Sequence, residues 1–387
     1  MFNTRTVEGS TGRLIQLAIS YFLTYVIVGI TVKYYTGSAA KGFPGMKDME
    51  FLVYSSLGGS GICLLWVFVK KWYRLKSNGI ITKFGVRFPG EFLYIVPSGV
   101  CTAVVIVATT LNYMLLPSVM VAMVLTRATV IIISRAVDAL QIRQGILHKR
   151  VYLEEDLAVV VALLAVATQI FIHGGAPSAT VKPLWQISIA GTSWWMGWEG
   201  SAGDEWTPAA FIVLGAYVLA YSVRIYIMNF FKNTRGQGVP LDNNGFFGVE
   251  QIGASGTILL AAVTFFFLPD LIGRSPEPVT IFRGAITDPS PQWIGATLAS
   301  TAYGAVAFFS VFIFMFKGRT ATFAGLVNRL TSLMAGTVAT VALYYLFDMR
   351  FPEPEDWLAF FFILTAVGFL TRAEKRRTSE LRTTQSR

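Results

Sequence analysis

Long apolar runs separated by short polar connections fill the chain from Leu14 to Thr371. A helix that crosses a bilayer needs about 20 mostly apolar residues. Segments of that kind fall at 13–34, 50–70, 91–113, 117–139, 155–173, 208–231, 249–269, 292–316, 320–346 and 356–372. Several contain Gly or Ser, which membrane helices tolerate at close helix contacts. The pattern predicts an all-α polytopic membrane protein with ten transmembrane helices.

The connections orient these helices, because Lys and Arg collect in short cytoplasmic loops. With the N-terminus inside, the inner connections hold Lys70, Lys71, Arg74, Lys76, Lys83 and Arg87, then Arg143, Lys149 and Arg150, then Lys232, Arg235, Lys317 and Arg319, and a tail rich in Lys and Arg from Arg372 onward. The outer ones hold only Lys33, Lys41, Lys47, Lys182, Arg274, Arg283 and Arg350. An even number of spans then leaves both termini cytoplasmic. The longest connection, 174–207, lies outside and carries Trp185, Trp194, Trp195, Trp198 and Trp206. Tryptophan prefers the membrane interface, so this stretch is expected to lie on the outer leaflet as a loop or short helix, with a lid over a substrate path as the alternative. It divides the chain into a first five-helix unit, 1–173, and a second, 208–387, that ends in the basic tail. The loop at 270–291 is rich in Pro and polar residues and offers no chemistry.

Composition agrees. Hydrophobic residues make up 54% and charged residues 14%, with a mean hydropathy of +0.56; a soluble domain carries about 25% charged residues. The net charge of +10 reflects topology, because no soluble face exists on which a nucleic-acid patch could form. Cys63 and Cys101 sit inside apolar segments as small core residues. His148 and His173 lie near segment ends and form no metal cluster. The first apolar run is too long for a cleavable signal. The absence of a G-x-x-x-x-G-K-[ST] motif argues against ATP-driven transport, and nothing implies a cofactor. A membrane enzyme would need clustered nucleophiles, acids or metal ligands near one surface, and none occur. The chain has no N-x-[ST] sequon, which fits a bacterial inner membrane better than an organelle membrane.

Four basic residues interrupt the apolar runs: Arg127, Arg135, Arg224 and Arg329. Two of them belong to a repeat. "AMVLTRATV" at 122–130 matches "AGLVNRLTS" at 324–332 with Ala122 over Ala324, Arg127 over Arg329 and Thr129 over Thr331; Thr126 and Asn328 are both polar. These stretches lie in the fourth helix of each five-helix unit, and the two helices run in opposite directions. That is the signature of an inverted repeat, which places a binding site near the midplane at the repeat interface. Arg127 lies about 15 Å and Arg329 about 13 Å into its helix at ~1.5 Å per residue, near the centre of a hydrocarbon core about 30 Å thick. An arginine at that depth costs at least about 2.5 kcal/mol. No acid shares the depth, so water, backbone carbonyls or an anionic ligand must offset the cost. Thr322, Gly325, Ser332 and Gly336 fall at helical spacing from Arg329 and predict a cavity face; the face of Arg127 carries Met120, Met123, Val130 and Ser134. The competing reading makes the two arginines structural caps of buried carbonyls. Arg135 is three residues before Asp138, so a local ion pair or snorkelling accounts for it. Arg224 shares its face with Tyr217 and Tyr221 and is a candidate cavity residue. Glu250 and Gln251 open the seventh helix on the inner side as site, gate or interface residues.

At these residues the chain resembles the drug/metabolite transporter superfamily, over nearly its whole length. "GLVNRL" at 325–330 looks like the ninth-helix "GALNKL" motif of nucleotide-sugar transporters, with Gly325, Asn328 and Arg329 at the matching positions and Arg in place of Lys. "LTRATVIII" in the fourth helix is similar to "FKNLTIILI", its basic residue displaced by one position, while the seventh-helix "FYNN" has no counterpart in "GFFGVEQIGAS". The resemblance implies ten helices in a five-plus-five inverted repeat and transport by alternating access. The expected substrate is a small organic anion, first a phosphorylated metabolite or nucleotide sugar. The alternatives are an amino-acid or metabolite exporter of the same fold (the EamA-like branch) and a flippase of a lipid-linked phosphate. Beyond substrate and bilayer no partner is implied, nucleic acid included. The candidate substrate-binding residues are Arg127, Arg329, Asn328, Gly325, Ser332, Thr126, Tyr221, Arg224, Glu250 and Gln251.

Overall fold

The computed structural model describes residues 10–83, 85–115, 119–147, 151–174, 184–189, 192–196, 208–349, 352 and 354–385. Among them the chain runs through α1 (Thr11–Thr36), α2 (Asp48–Val69), the hairpin β1 (Ile80–Lys83) and β2 (Val86–Pro89), α3 (Phe92–Leu115), α4 (Val119–Arg143) and α5 (Leu153–Phe171). The strands β3 (Ile172–Gly174), β4 (Trp185–Ile189) and β5 (Thr192–Met196) follow. The second part holds α6 (Pro208–Asn233), α7 (Asn243–Ile272), α8 (Glu277–Thr287), α9 (Trp293–Ala299), α10 (Thr301–Phe314), α11 (Ala321–Phe347) and α12 (Pro354–Gln385). Helix starts carry caps of the usual chemistry: the Ser10 hydroxyl accepts from the Arg13 N–H, and a carboxylate oxygen of Asp242 accepts from the Gly245 N–H.

Among the described residues, eight helical stretches are long and apolar enough to cross a membrane, with α9 and α10 together forming one of them. The other two predicted spans correspond to α4, which carries Arg127, Arg135, Asp138 and Arg143, and α5, which opens on Glu154, Glu155 and Asp156. Apolar side chains face outward: Ile15, Ile19, Leu23 and Ile27 form an exposed stripe one turn apart along α1. Polar groups such as Ser98, Glu250, Asn328 and Arg329 are buried. That distribution is the reverse of a soluble protein's, and it makes the chain an integral, multi-pass, all-α membrane protein.

The helices pack in a definite pattern. α3 lies against α6 and α7, and α10 lies against α1 and α2; α4 touches α6 and α11, α11 also touches α1, and α5 runs along α12. Backbones approach closely at several helix contacts, including α2 with α9. A Cβ on Gly99 of α3 would stand 2.5 Å from the Glu250 carbonyl oxygen of α7, and one on Gly58 of α2 would stand 2.1 Å from the Thr297 carbonyl oxygen of α9. Only glycine permits that approach.

Several sequence expectations need correction. The described parts of the Trp-rich connection form no helix: β5 pairs with both β3 and β4 in an antiparallel sheet, Trp194 opposite Gly174 and Ile187. Residues 175–183, 190–191 and 197–207 of that connection lie outside the described residues, as does His148. The polar stretch 270–291 contains α8, where Pro276 stands immediately before the first turn. α7 starts at Asn243 rather than 249, so Glu250 lies about 10 Å inside its helix at ~1.5 Å per residue. The basic tail continues α12 as helix, with Glu374 and Arg377 buried.

Candidate functional site

α11 brings Arg329 into the bundle. Its first turn is held by the Thr320 hydroxyl, which accepts from the Phe323 N–H, and by Asp138 of α4, whose carboxylate oxygens accept from the N–H groups of Ala321 (2.8 Å) and Thr322 (2.6 Å). A carboxylate at a helix N-terminus satisfies orphan donors and complements the dipole. Nine residues further along, Arg329 is 8% exposed and its guanidinium lies 5.0 Å from the centre of the Tyr221 ring. Tyr21 and Tyr25 of α1 and Tyr217 and Tyr221 of α6 all lie within electrostatic reach of it. Among the described residues its buried Nε and Nη2 have no hydrogen-bond acceptor.

Arg127 enters from α4, equally buried. Tyr21 is within reach of both arginines. A Cβ on Gly336 would lie 4.0 Å from Arg127 Nη2, which sets Arg127 beside α11 two turns beyond Arg329. The residues before the arginines hold the tyrosines. The Tyr21 hydroxyl donates to Asn328 Oδ1 and the Tyr217 hydroxyl donates to the Thr126 carbonyl, each at 3.4 Å; Asn328 in turn donates to Ser310 Oγ at 3.0 Å.

Gly325 and Ser332 have packing roles. A Cβ on Gly325 would stand 2.3 Å from Ser134 Oγ of α4, and the Ser332 hydroxyl donates to the Arg329 carbonyl of its own helix. Thr322 Oγ1 is buried without a partner. The side chains of Met120 and Met123 are outside the described residues.

Arg224 and Glu250 meet one another. Arg224 Nε and Nη2 donate to the two carboxylate oxygens of Glu250 at 2.9 and 3.1 Å, and the Ser98 and Thr102 hydroxyls of α3 add 2.7 and 3.2 Å bonds to Oε1. The pair is buried, and Arg224 is within electrostatic reach of Tyr221 and Arg329. Gln251 is buried beside it with Nε2 unpartnered. Arg135 does not pair with Asp138. Its Nε contacts Asp156 Oδ1 at 2.7 Å, because Asp138 is taken up by the start of α11 and by Asn229.

The basic end of the bundle is closed by buried charge. Arg377 pairs with Glu155 (2.5 Å), Arg319 pairs with Glu374, the Thr320 hydroxyl donates to Glu155, and Lys232 Nζ donates to the Phe314 and Arg319 carbonyls. Nearby, Glu91 accepts from the Asn78 N–H and the Ser77 hydroxyl and pairs with Arg235 at 2.9 Å. Burial alone would raise the Glu91 pKa; these donors and the Arg235 charge outweigh it and hold the carboxyl below its ordinary value.

The sequence reading named ten candidates, of which Arg127, Arg329, Asn328, Thr126 and Tyr221 come together here. It missed Tyr21 and Tyr25, which stand one turn apart in α1 as Tyr217 and Tyr221 do in α6. That spacing was the available signal.

No family model matches the chain, and no curated protein matches it. Among solved structures, a chain described only as "Crystal structure of protein" is similar, with a TM-score of 0.56 at 12% identity, covering 95% of this chain and 99% of that one. The likeness is one of fold.

Proposed function

We propose that the protein is a secondary carrier of a small organic anion, a phosphorylated metabolite or nucleotide sugar. The observation that carries this reading is the contrast among its intramembrane arginines. Arg224 is matched by a buried carboxylate, whereas Arg329 is as deeply buried and its Nε and Nη2 have no acceptor among the described residues. A buried guanidinium left unpaired is costly, and an anion entering the site removes that cost. The planar fork of an arginine suits phosphate, to which it donates two parallel hydrogen bonds.

Ten crossing helices in a five-plus-five inverted repeat, with both termini cytoplasmic, are part of the proposal. Exchanging the helices of the two halves in order (α1 with α6, α2 with α7, α3 with α9–α10, α4 with α11, α5 with α12) turns the α3–α6 contact into α10–α1, α3–α7 into α10–α2 and α4–α6 into α11–α1, all of them observed packing pairs. Alternating access would rock the halves about the arginine site.

The test is uptake by proteoliposomes of labelled glycerol 3-phosphate, UMP and glutamate, together with binding in detergent. Arg329→Gln and Arg127→Gln should each weaken binding of the preferred phosphate about tenfold to a hundredfold, as expected for charge-assisted hydrogen bonds, and leave the melting temperature in place. Arg329→Lys should be milder but measurable. Unchanged affinity with a lowered melting temperature would make the arginines structural, and a preference for glutamate would point to the exporter branch.

A further inference from the structure

The two long tyrosine hydrogen bonds occupy equivalent places in the two halves. Tyr21 and Tyr217 belong to the first helix of each half, and each is followed one turn later by a second tyrosine, Tyr25 or Tyr221. Tyr21 donates to the side chain of the residue before Arg329, and Tyr217 donates to the carbonyl of the residue before Arg127. Exchanging the halves so that Arg127 takes the place of Arg329 pairs Tyr217 and Thr126 with Tyr21 and Asn328, although one bond ends on a backbone carbonyl and the other on a side-chain amide. Both are 3.4 Å, beyond the 2.5–3.0 Å usual for O–H···O, so each gives up little when its proton turns elsewhere. Both phenols are buried. Beside them, Nε and Nη2 of Arg329 wait for an acceptor.

Resting on the carrier reading above, we propose that Tyr21 and Tyr217 are ligand-binding residues, each turning its O–H from Asn328 or Thr126 onto an oxygen of the anion held by Arg127 and Arg329. Each half of the chain then contributes an arginine and a phenol. Donors arriving from opposite sides need acceptor oxygens spread about a centre. A tetrahedral phosphate head group supplies them; a carboxylate, with two oxygens in one plane, leaves one side unmet. The tyrosines thus select for phosphate over carboxylate, while the arginines select for negative charge.

The experiment compares Tyr21→Phe, Tyr217→Phe and Arg329→Gln in detergent. It measures binding of inorganic phosphate, glycerol 3-phosphate, UMP and glutamate by calorimetry, and records the melting temperature of every variant. Each Tyr→Phe change should weaken the tightest phosphate roughly tenfold, the value of a hydrogen bond to a charged group, by a similar factor for the two positions and with a smaller effect on any glutamate binding. Tyr21→His, which keeps a ring and an N–H donor, should recover part of the loss and stands in if the Phe variant does not fold. Tyrosine variants with unchanged affinity beside a weakened Arg329→Gln would overturn this inference and leave the carrier reading intact. Arginine and tyrosine variants that all bind like the unsubstituted protein, or an unsubstituted protein that binds none of the phosphates, would overturn both.

Discussion

At the residue scale, one bundle holds buried arginines in two conditions. Arg224 has Glu250, which the Ser98 and Thr102 hydroxyls bond in turn; Arg329 has an aromatic face and electrostatic neighbours but, among the described residues, no acceptor for two of its nitrogens. The two should respond differently to mutation. Arg224→Met strands Glu250 in the interior and should cost about 3–5 kcal/mol of stability, read as a lower melting temperature in detergent. Adding Glu250→Met should restore most of the loss, since an apolar pair of similar size can replace a buried ion pair. If Arg224→Met proved neutral, the pair would be bathed in water rather than buried. Arg127 and Arg329 were legible in the sequence because a charge inside an apolar run stands out. The tyrosines were not, since a tyrosine is ordinary in a membrane helix and only the folded chain sets α1 beside α11 and α6 beside α4.

At the scale of the element, helix boundaries decided what the sequence could and could not say. The apolar window placed Glu250 near a helix start, but the helix opens earlier, at Asn243, where Asp242 caps it. The assignment of Asp138 to Arg135 followed local spacing, and a long-range demand won: the orphan N–H groups of α11 needed a carboxylate. Gly325 read as part of a ligand motif and proves to be where α11 meets α4. Gly325→Ala should therefore lower the melting temperature, and Ser134→Gly on the facing helix should rescue it by removing both atoms that the new methyl would strike. At the start of α3, Glu91 is held below its ordinary pKa. Its unfolded value is about 4.3, so its contribution to stability is present above that pH and disappears as pH falls through the lower folded value. Melting curves recorded down an acid series should show this loss, and Glu91→Gln should remove that part of the pH dependence.

At the scale of the whole molecule, the run of apolar segments was readable because lipid imposes a length and a composition on every span. The direction of those spans can be tested directly. In a background with Cys63→Ala and Cys101→Ala, Leu184→Cys should react with a membrane-impermeant thiol reagent added outside intact cells, and Lys317→Cys only after the membrane is opened; both positions are exposed. The reverse labelling would invert the orientation. The β-strands of the outer connection and the docking of the tail helix were not readable. Both rest on contacts between distant parts of the chain, which leave no local period in the sequence.

The pairing of Glu155 with Arg377 also bears on how the protein is made. The two residues are 222 positions apart, and a chain emerging from a ribosome inserts α5 long before α12 exists. Until then Glu155 lacks Arg377, and of its two partners only Thr320 at the start of α11 is already made. During synthesis, therefore, the basic end must stay open, and it locks only when the last helix of the bundle swings in beside α5. A released chain truncated after Leu370 should give a membrane-inserted protein whose basic end is cut readily by added protease, and the full-length chain should resist that cleavage.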